Sequence, residues 1–386
     1  MLPSVHRSIL AAIVALVSVS FSFNGAQAAQ SNAPQARNTS IKVETFAKGL
    51  ENPWSLQFLP DGRLLVSERP GRIRIVGKDG KLSLPVSGVP KVHAQGQGGL
   101  LDIRLAPDFE TSGTLFLSYA EPRDGGQSGT TVARARLVLE GATGRLDGVM
   151  VIFRQEPAVQ SSFHFGSRIV PASDGSIFVT TGDRGNQRDS AQNPGNHIGK
   201  VIRIMPDGKP AADNPKLPGW KPEVWSYGHR NIQGAAIDPA TGQLWTVEHG
   251  ARGGDELNRP EKGKNYGWPI ITYGRDYTGL KIGEGTARAG MEQPVYYWDP
   301  SIATSGLAVY SGSLFPAWKG NILVGGLSGA QLSRLVVEGG QVVAEEKLLD
   351  GRGDRIRDVR QGPDGAVWLV VDDRDGQILR LSPGAK

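Results

Sequence analysis

The sequence has no cysteine, which excludes disulfides, thiolate metal sites, a cysteine nucleophile and a lipid-modified cysteine. Histidine is sparse: His6, His93, His164, His197, His229 and His249 are the full set, and no two stand at the HExxH spacing of a zinc hydrolase. No GxSxG elbow occurs, which disfavours a serine acyl-transfer enzyme of that kind. GxGxxG and P-loop patterns are missing from any strand-to-helix context, so the ordinary nucleotide cofactors have no seat. Like charges are scattered, and a formal net charge of +5 is mild for 386 residues. Nucleic acid is therefore disfavoured as a partner, while a small anionic ligand fits. After Val19 no apolar run is long enough to span a bilayer.

What the chain does have is turns. Its 52 Gly and 25 Pro favour short strands over long helices. The opening MLPSVHRSILAAIVALVSVSFSFNGAQA reads as a signal peptide over residues 1–28. It has basic His6 and Arg7, an apolar run from Ile9 to Val19, and the small-residue site Ala26-Gln27-Ala28. That run is too short for a comfortable membrane anchor. Export to the periplasm or the medium is the expectation, and the net charge without this segment is +4 because it holds one Arg and no acid. Residues 29–40 (AQSNAPQARNTS) are polar and read as a flexible linker. Residues 41–386 read as one catalytic domain.

Within that domain a theme returns six times: LPDGRLLVSER, APDFETSGTLFLSY, PASDGSIFVTTGD, DPATGQLWTVEHG, FPAWKGNILVGGL and GPDGAVWLVVDD. Each is a Pro/Asp/Gly turn followed by a strand rich in Val, Leu, Ile or aromatics. The recurrence predicts an all-β, six-bladed propeller of four-stranded antiparallel blades. A double-sheet sandwich would not need one signature six times. Chemistry is expected in the polar loops that follow these strands.

One hairpin poses the functional question. In SSFHFGSRIVPASDGSIFVTTGDRG, a turn about Ser173–Asp174 would place residues whose numbers sum to 347 opposite each other, and His164 and Asp183 do. Alone, such a pair is more often structural than catalytic. Arg168 is ambiguous in the same way. Other loops add Gln97 (HAQGQGGLLDI), and Arg230 with Asn231 (WSYGHRNIQG). Arg355 and Arg357, two apart on a strand, would share a face and clamp a multiply charged anion. The loop EHGARGGDELNRPEKGKNYGWP offers hard oxygen donors suited to Ca²⁺. Trp298 could stack on a planar ligand or pack in a core. Together these groups suit a planar, polyanionic, metal-chelating cofactor better than a hydrolase.

The ordered set GQGGLLDI, HFGSR, GDRG, GHRNIQG, EHGARGGDE, GKNYGWP and RIRDV resembles the soluble quinoprotein glucose/sorbosone dehydrogenase family. Its bacterial aldose sugar dehydrogenases use pyrroloquinoline quinone (PQQ). The resemblance covers nearly all of the chain after residue 40. It implies a six-bladed propeller with PQQ over the channel mouth, oxidising an aldose to a lactone by hydride transfer, with an external electron acceptor. It implies that His164 is the general base, that Asp183 supports it, and that Arg230 binds a PQQ carbonyl oxygen. Gln97, Asn231, Arg355 and Arg357 match family positions that hold PQQ, with Tyr277 a further contact. The carbonyls of Gly250 and Ala251 match ligands of a Ca²⁺ ion, and Glu256 with the Tyr266 carbonyl match a second. Phe163 stands where some glucose-oxidising members have Asp, which argues against strict glucose preference. Ser328 stands where relatives often have a PQQ-binding lysine. The rival readings are a Ca²⁺-dependent lactonase, which the arginine pair disfavours, and a binding propeller without turnover. The sequence leaves monomer and homodimer open.

Overall fold

The computed structural model describes residues 30–385; the signal-peptide reading of residues 1–28 lies outside the described residues. After a first strand, β1 (Ile41–Leu50), the chain forms six antiparallel sheets in sequence. The first is β2 (Pro53–Phe58), β3 (Leu64–Glu68) and β4 (Arg72–Val76). The second is β5 (Leu100–Leu105), β6 (Thr114–Pro122), β7 (Ser128–Glu140) and β8 (Thr143–Arg154). The third is β9 (Ile169–Pro171), β10 (Ile177–Thr180), β11 (Lys200–Ile204) and β12 (Val224–Tyr227). The fourth is β13 (Ile232–Ile237), β14 (Leu244–Glu248), β15 (Asp255–Asn258) and β16 (Tyr296–Trp298). The fifth is β17 (Thr304–Val309), β18 (Ile322–Gly326), β19 (Gln331–Glu338) and β20 (Gln341–Leu348). The sixth is β21 (Ile356–Gln361), β22 (Val367–Val371) and β23 (Gly376–Pro383), completed by β1, which pairs with β23 and closes the ring. In the first sheet an irregular segment takes the fourth place: Ser83 N donates to Ile75 O (2.8 Å) and Val86 N to Ile73 O (2.9 Å).

This is the six-bladed propeller that the repeat predicts. Each recurring unit supplies the second strand of one blade: β3, β6, β10, β14, β18 and β22. The turns before β3, β10 and β22 contain Gly62 (φ +85), Gly175 (φ +83) and Gly365 (φ +79), and the left-handed backbone there is what selects glycine. Second strands are sandwiched between neighbouring blades, so β10, β14, β18 and β22 are buried along their whole length. That explains their continuous apolar runs. Apolar clusters fill the spaces between consecutive blades, for example Leu65, Ile73, Leu100 and Leu117 between the first and second. Leu323, Trp318, Val359 and Leu369 do the same between the fifth and sixth.

Residues 30–40 are tied to the outside of the fourth and fifth blades, where the polar composition had suggested a free linker. Tyr297 N donates to Gln30 O (2.9 Å), Ala36 N to Glu345 O (2.8 Å) and Thr39 Oγ1 to Glu346 Oε2 (3.0 Å). Polar composition does not report backbone pairing to a blade edge, which needs no apolar side chain.

The axis is ionic. Asp102 on β5 and Asp358 on β21 are fully buried and face Arg168, which lies 3.3 Å from Asp102 and 3.0 Å from Asp358. Arg360 contacts the same two carboxylates at 3.3 and 3.0 Å. Arg168 also donates to Gln233 O (2.6 Å) and stacks on Trp54. Arg168 is therefore part of the structural hub.

Candidate active site

The hairpin that holds His164 does not turn as its sequence suggests. In the β9–β10 ladder, Ile169 faces Val179 and Pro171 faces Ile177, so paired numbers sum to 348 and the turn centres on Asp174. Beyond β9 the chain leaves the regular ladder: His164 (φ +50), Gly166 (φ +61) and Ser167 (φ +88) all have left-handed backbone. Ser167 N donates to Thr180 O (2.7 Å), which moves the pairing back by one residue. His164 and Asp183 then meet after all, Nδ1 to Oδ1 at 2.6 Å. The approach depends on Gly182, where a Cβ would lie 2.1 Å from His164 O.

Asp183 is buried and held on all sides. Its Oδ1 accepts from Gly185 N (2.7 Å), its Oδ2 from Trp268 Nε1 (2.8 Å), and its own N–H donates to Arg230 O (2.7 Å). Burial alone would raise its pKa. The His164 hydrogen bond, the charges of His164 and Arg230 and the Gly185 amide outweigh that and hold it below the usual carboxylate value. A carboxylate bound to Nδ1 leaves the Nε2 of His164 as the free nitrogen, the form a general base needs. Burial also lowers the pKa of His164, opposed by Asp183 and assisted by the charge on Arg230. Replacing Trp268 with phenylalanine removes one donor to Asp183; turnover by any reaction that uses the His164–Asp183 pair is expected to fall about 10-fold, the size of one charge-assisted bond. Steady-state kinetics check this, and unchanged turnover would mean that the indole does not steady the pair.

Arg230 and Asn231 lie directly behind this pair. Arg230 is buried, with its guanidinium over the Trp268 ring and one nitrogen donating to His249 O (3.2 Å). Its main-chain N–H donates to Glu248 Oε2 (2.5 Å). Asn231 accepts from Gly166 N (3.1 Å). Glu248 Oε1 also accepts from His229 Nδ1 (2.9 Å), and His229 Nε2 contacts Ser226 Oγ (2.9 Å). Ser226–His229–Glu248 has the spacing of a hydrolase triad, but all three are buried and none lines the cavity described next, so it acts as a brace for Arg230.

A polar cavity of about 280 Å³ opens at the channel mouth between Trp54, Arg69, Gln97, Gln233, His249, Leu327, Arg355, Arg357 and Asp372. Gln97 joins it to His164, since its Oε1 accepts from His164 N (2.9 Å). Arg355 and Arg357 both reach this wall, although only Arg357 lies on β21 and Arg355 stands just before it, and they are not equivalent. Arg357 is buried, pairing with Asp372 (2.5 Å) and donating to Gln233 (2.7 Å), whereas Arg355 is exposed. His164, Asp183, Arg230 and Asn231 adjoin the cavity through Gln97 and His249 instead of lining it.

Arg69, His249, Leu327 and Asp372 went unmarked in the sequence reading. Each is the first residue after the second strand of its blade: β3, β14, β18 and β22. Superposing the six repeats at that position would have found them. His249 is held well below the ordinary imidazole pKa by burial and by the charges of Arg230, His164 and Arg357.

One candidate is corrected. Trp298 lies in the apolar core between the fourth and fifth blades, where its Nε1 donates to Glu345 (3.0 Å), so it presents no face to the cavity. Tyr277 is 72% exposed and, like His164 and Arg230, stands outside the cavity wall, so it stays an expected contact at the rim. Aromatic residues near glycine-rich loops carry the same signal whether they pack inward or stand in solvent.

The Gly250–Gly254 loop is tightly folded. A Cβ at Gly250 would lie 2.1 Å from Gly253 O, and Gly253 and Gly254 have φ +77 and +73. Asp255 locks it by accepting from Gly250 N (2.8 Å) and Ser301 Oγ (2.8 Å). Among the described residues no cluster of three or more acidic or histidine side chains is placed to hold a metal, so any ion here would depend on main-chain oxygen from residues such as Gly250 and Ala251. Glu256 lies beside Glu248, both bonded to Asn258 Nδ2 (3.1 Å each); burial and the Glu248 charge raise its pKa. The Tyr266 ring stacks on His229 nearby.

Residues 50–380 match the family described as glucose/sorbosone dehydrogenase. The chain belongs to that family. It is 43% identical over 358 residues to the aldose sugar dehydrogenase of Escherichia coli strain K12, covering 92% of this chain and 96% of the relative. A crystal structure of a glucose dehydrogenase superposes with a TM-score of 0.86 at 48% identity, over 89% of this chain and 100% of the other. The PQQ-bound form of the aldose sugar dehydrogenase from Streptomyces coelicolor superposes at 0.75 with 32% identity, over 91% and 99%. Glucose/sorbosone dehydrogenase membership gives the His164–Asp183 pair, the arginine-lined cavity and the glycine loop one frame. Among the described residues no helix is long and apolar enough to cross a membrane.

Proposed function

We propose that this chain is a periplasmic, PQQ- and Ca²⁺-dependent aldose sugar dehydrogenase that oxidises the anomeric carbon to a lactone. The observation that carries the reading is a cationic cavity joined through Gln97 to a histidine–aspartate pair. The donors fit a polyanion with carbonyl oxygens: Arg69 Nε, Arg230 Nε and Asn231 Nδ2 are buried with no partner, a cost that a ligand acceptor would offset. Arg355 and Arg357 would hold carboxylates, Arg230 and Asn231 carbonyl oxygens, and the Gly250 and Ala251 carbonyls the Ca²⁺ ion. Bound there, PQQ supplies a quinone that takes up hydride from the sugar, with Ca²⁺ as Lewis acid.

The chain's own residues then have defined tasks. His164 Nε2 takes the proton from the anomeric hydroxyl while the two electrons leave with the carbon-bound hydrogen. Asp183 holds the ring and stabilises the imidazolium that forms. Arg230 faces the developing negative charge. Phe163, 54% exposed beside His164, presents an apolar rim where a sugar would enter and favours broad aldose tolerance. The residue 1–28 pattern supports periplasmic placement, and an external acceptor would take the electrons onward.

The test is reconstitution of apo-protein with PQQ and Ca²⁺, followed by dye reduction with several aldoses. Reduction with more than one sugar is expected. None with any sugar would reject the dehydrogenase, and lactone hydrolysis without PQQ would favour the hydrolase. A pH profile of kcat/KM adds a second check. Burial depresses the His164 pKa, so the base stays neutral into mildly acid solution, and the acid limb should have its midpoint below the ordinary value of 6.5. A midpoint above that value would contradict a buried, cation-flanked base.

A further inference from the structure

We propose that Arg69 is a ligand-binding residue, the third guanidinium of an anion clamp formed with Arg355 and Arg357; this rests on the cavity being the cofactor site. Arg69, Arg355 and Arg357 line the same cavity, and among the described residues Asp372 is the only carboxylate in its wall. Asp372 is already committed to Arg357 and to Asn52 Nδ2 (3.2 Å). Arg69 shares the charge of Asp372 with Arg357 but makes no close ion pair with it. It is half-buried, donates to Gly96 O (2.7 Å), and its Nε is buried with no partner.

Its place is fixed by the backbone around it. Gly99 packs so closely that a Cβ there would lie 2.1 Å from Arg69 O, and Leu100 N donates to the same oxygen (3.1 Å). The Gly96–Gly99 turn that receives Arg69 also carries Gln97, which bonds His164 N. Arg69 thus stands between the anion-binding wall and the base. Three like charges around one carboxylate repel one another in the free protein, and burial strengthens the effect. A ligand with two or more carboxylates relieves it, and a planar guanidinium can engage a carboxylate in a fork. The clamp selects for a polycarboxylate over a neutral quinone of the same shape.

The experiment compares wild type, Arg69→Leu, Arg69→Lys and the surface control Arg145→Gln. Apo-proteins are titrated with PQQ, and separately with benzene-1,3,5-tricarboxylate, a planar redox-inert tricarboxylate, by calorimetry and thermal melting. Arg69→Leu should weaken both ligands about 10- to 100-fold, the range for a lost charge-assisted hydrogen bond. Arg69→Lys should fall between, and Arg145→Gln should match wild type. The apo form of Arg69→Leu should melt no lower than about 2 °C below wild type, since a repelled cation has gone. Unchanged affinity in Arg69→Leu, or a lowered apo melting point with the same loss in Arg69→Lys, would overturn the inference and leave Arg69 structural. If wild type binds the tricarboxylate but not PQQ, and Arg69→Leu loses that binding, the clamp stands and the quinone reading falls. If wild type binds neither, both fall.

Discussion

His164→Asn is expected to cut turnover by about 10²- to 10⁴-fold, the usual worth of a positioned general base, while PQQ affinity stays within about 3-fold of wild type. Asparagine is the right replacement for a structural reason. His164 has φ +50, a left-handed backbone that asparagine tolerates and alanine does not, so the loop under the site should survive. The imidazole is anchored at Nδ1 by Asp183, and the main-chain N–H by Gln97; only the first of these is lost. An asparagine amide cannot take a proton at neutral pH, so the chemistry should fail while the cavity wall is untouched. Single-turnover reduction of bound PQQ by sugar would measure it. Near-normal turnover would remove His164 from the mechanism, and equal loss of PQQ binding would make it a binding residue instead.

Asp102→Ala should lower the stability of the propeller by about 3–5 kcal/mol, because it leaves buried guanidiniums without a counter-charge. Asp102 accepts from Ser55 Oγ (2.7 Å) and Ile169 N (2.9 Å) and faces Arg168 and Arg360. Burial alone would raise its pKa, but Arg168, Arg104 and Arg360 outweigh that and lower it. Arg104 feels the crowding, its own pKa depressed to about 9 by burial and by Arg360. Because the folded pKa of Asp102 lies below its unfolded value, its stabilisation is present above the ordinary carboxylate pKa and fades as pH falls through the folded one. Urea unfolding at neutral pH measures the loss. A change under about 1 kcal/mol would mean that water or an ion already compensates the axial charges.

The fold was legible because every blade repeats one turn and one continuously buried strand, from LPDGRLLVSER to GPDGAVWLVVDD. The outer strands were harder to see. They are polar and irregular, and in the first blade Leu82–Val86 replaces a strand altogether. The His164–Asp183 pairing was read from numbers that proved right by a different route: the ladder is offset by one, and an irregularity at Ser167 restores it. No local signal reports such an offset, since a one-residue slip is set by turn geometry and by packing on the neighbouring blade. Arg355 and Arg357 were found by spacing. Arg69 and Asp372 were missed because a lone charge after a strand looks like any solvated loop residue until the ring brings six loops together. Trp298 shows the converse, an aromatic that only its core neighbours could assign.

The most direct test is a crystal structure of the protein soaked with PQQ and Ca²⁺. The quinone is expected in the channel-mouth cavity, its carboxylates on Arg69, Arg355 and Arg357 and its reactive carbon facing His164 Nε2. A quinone lodged at another face, or a cavity that stays open while PQQ-dependent sugar oxidation proceeds in solution, would contradict the account.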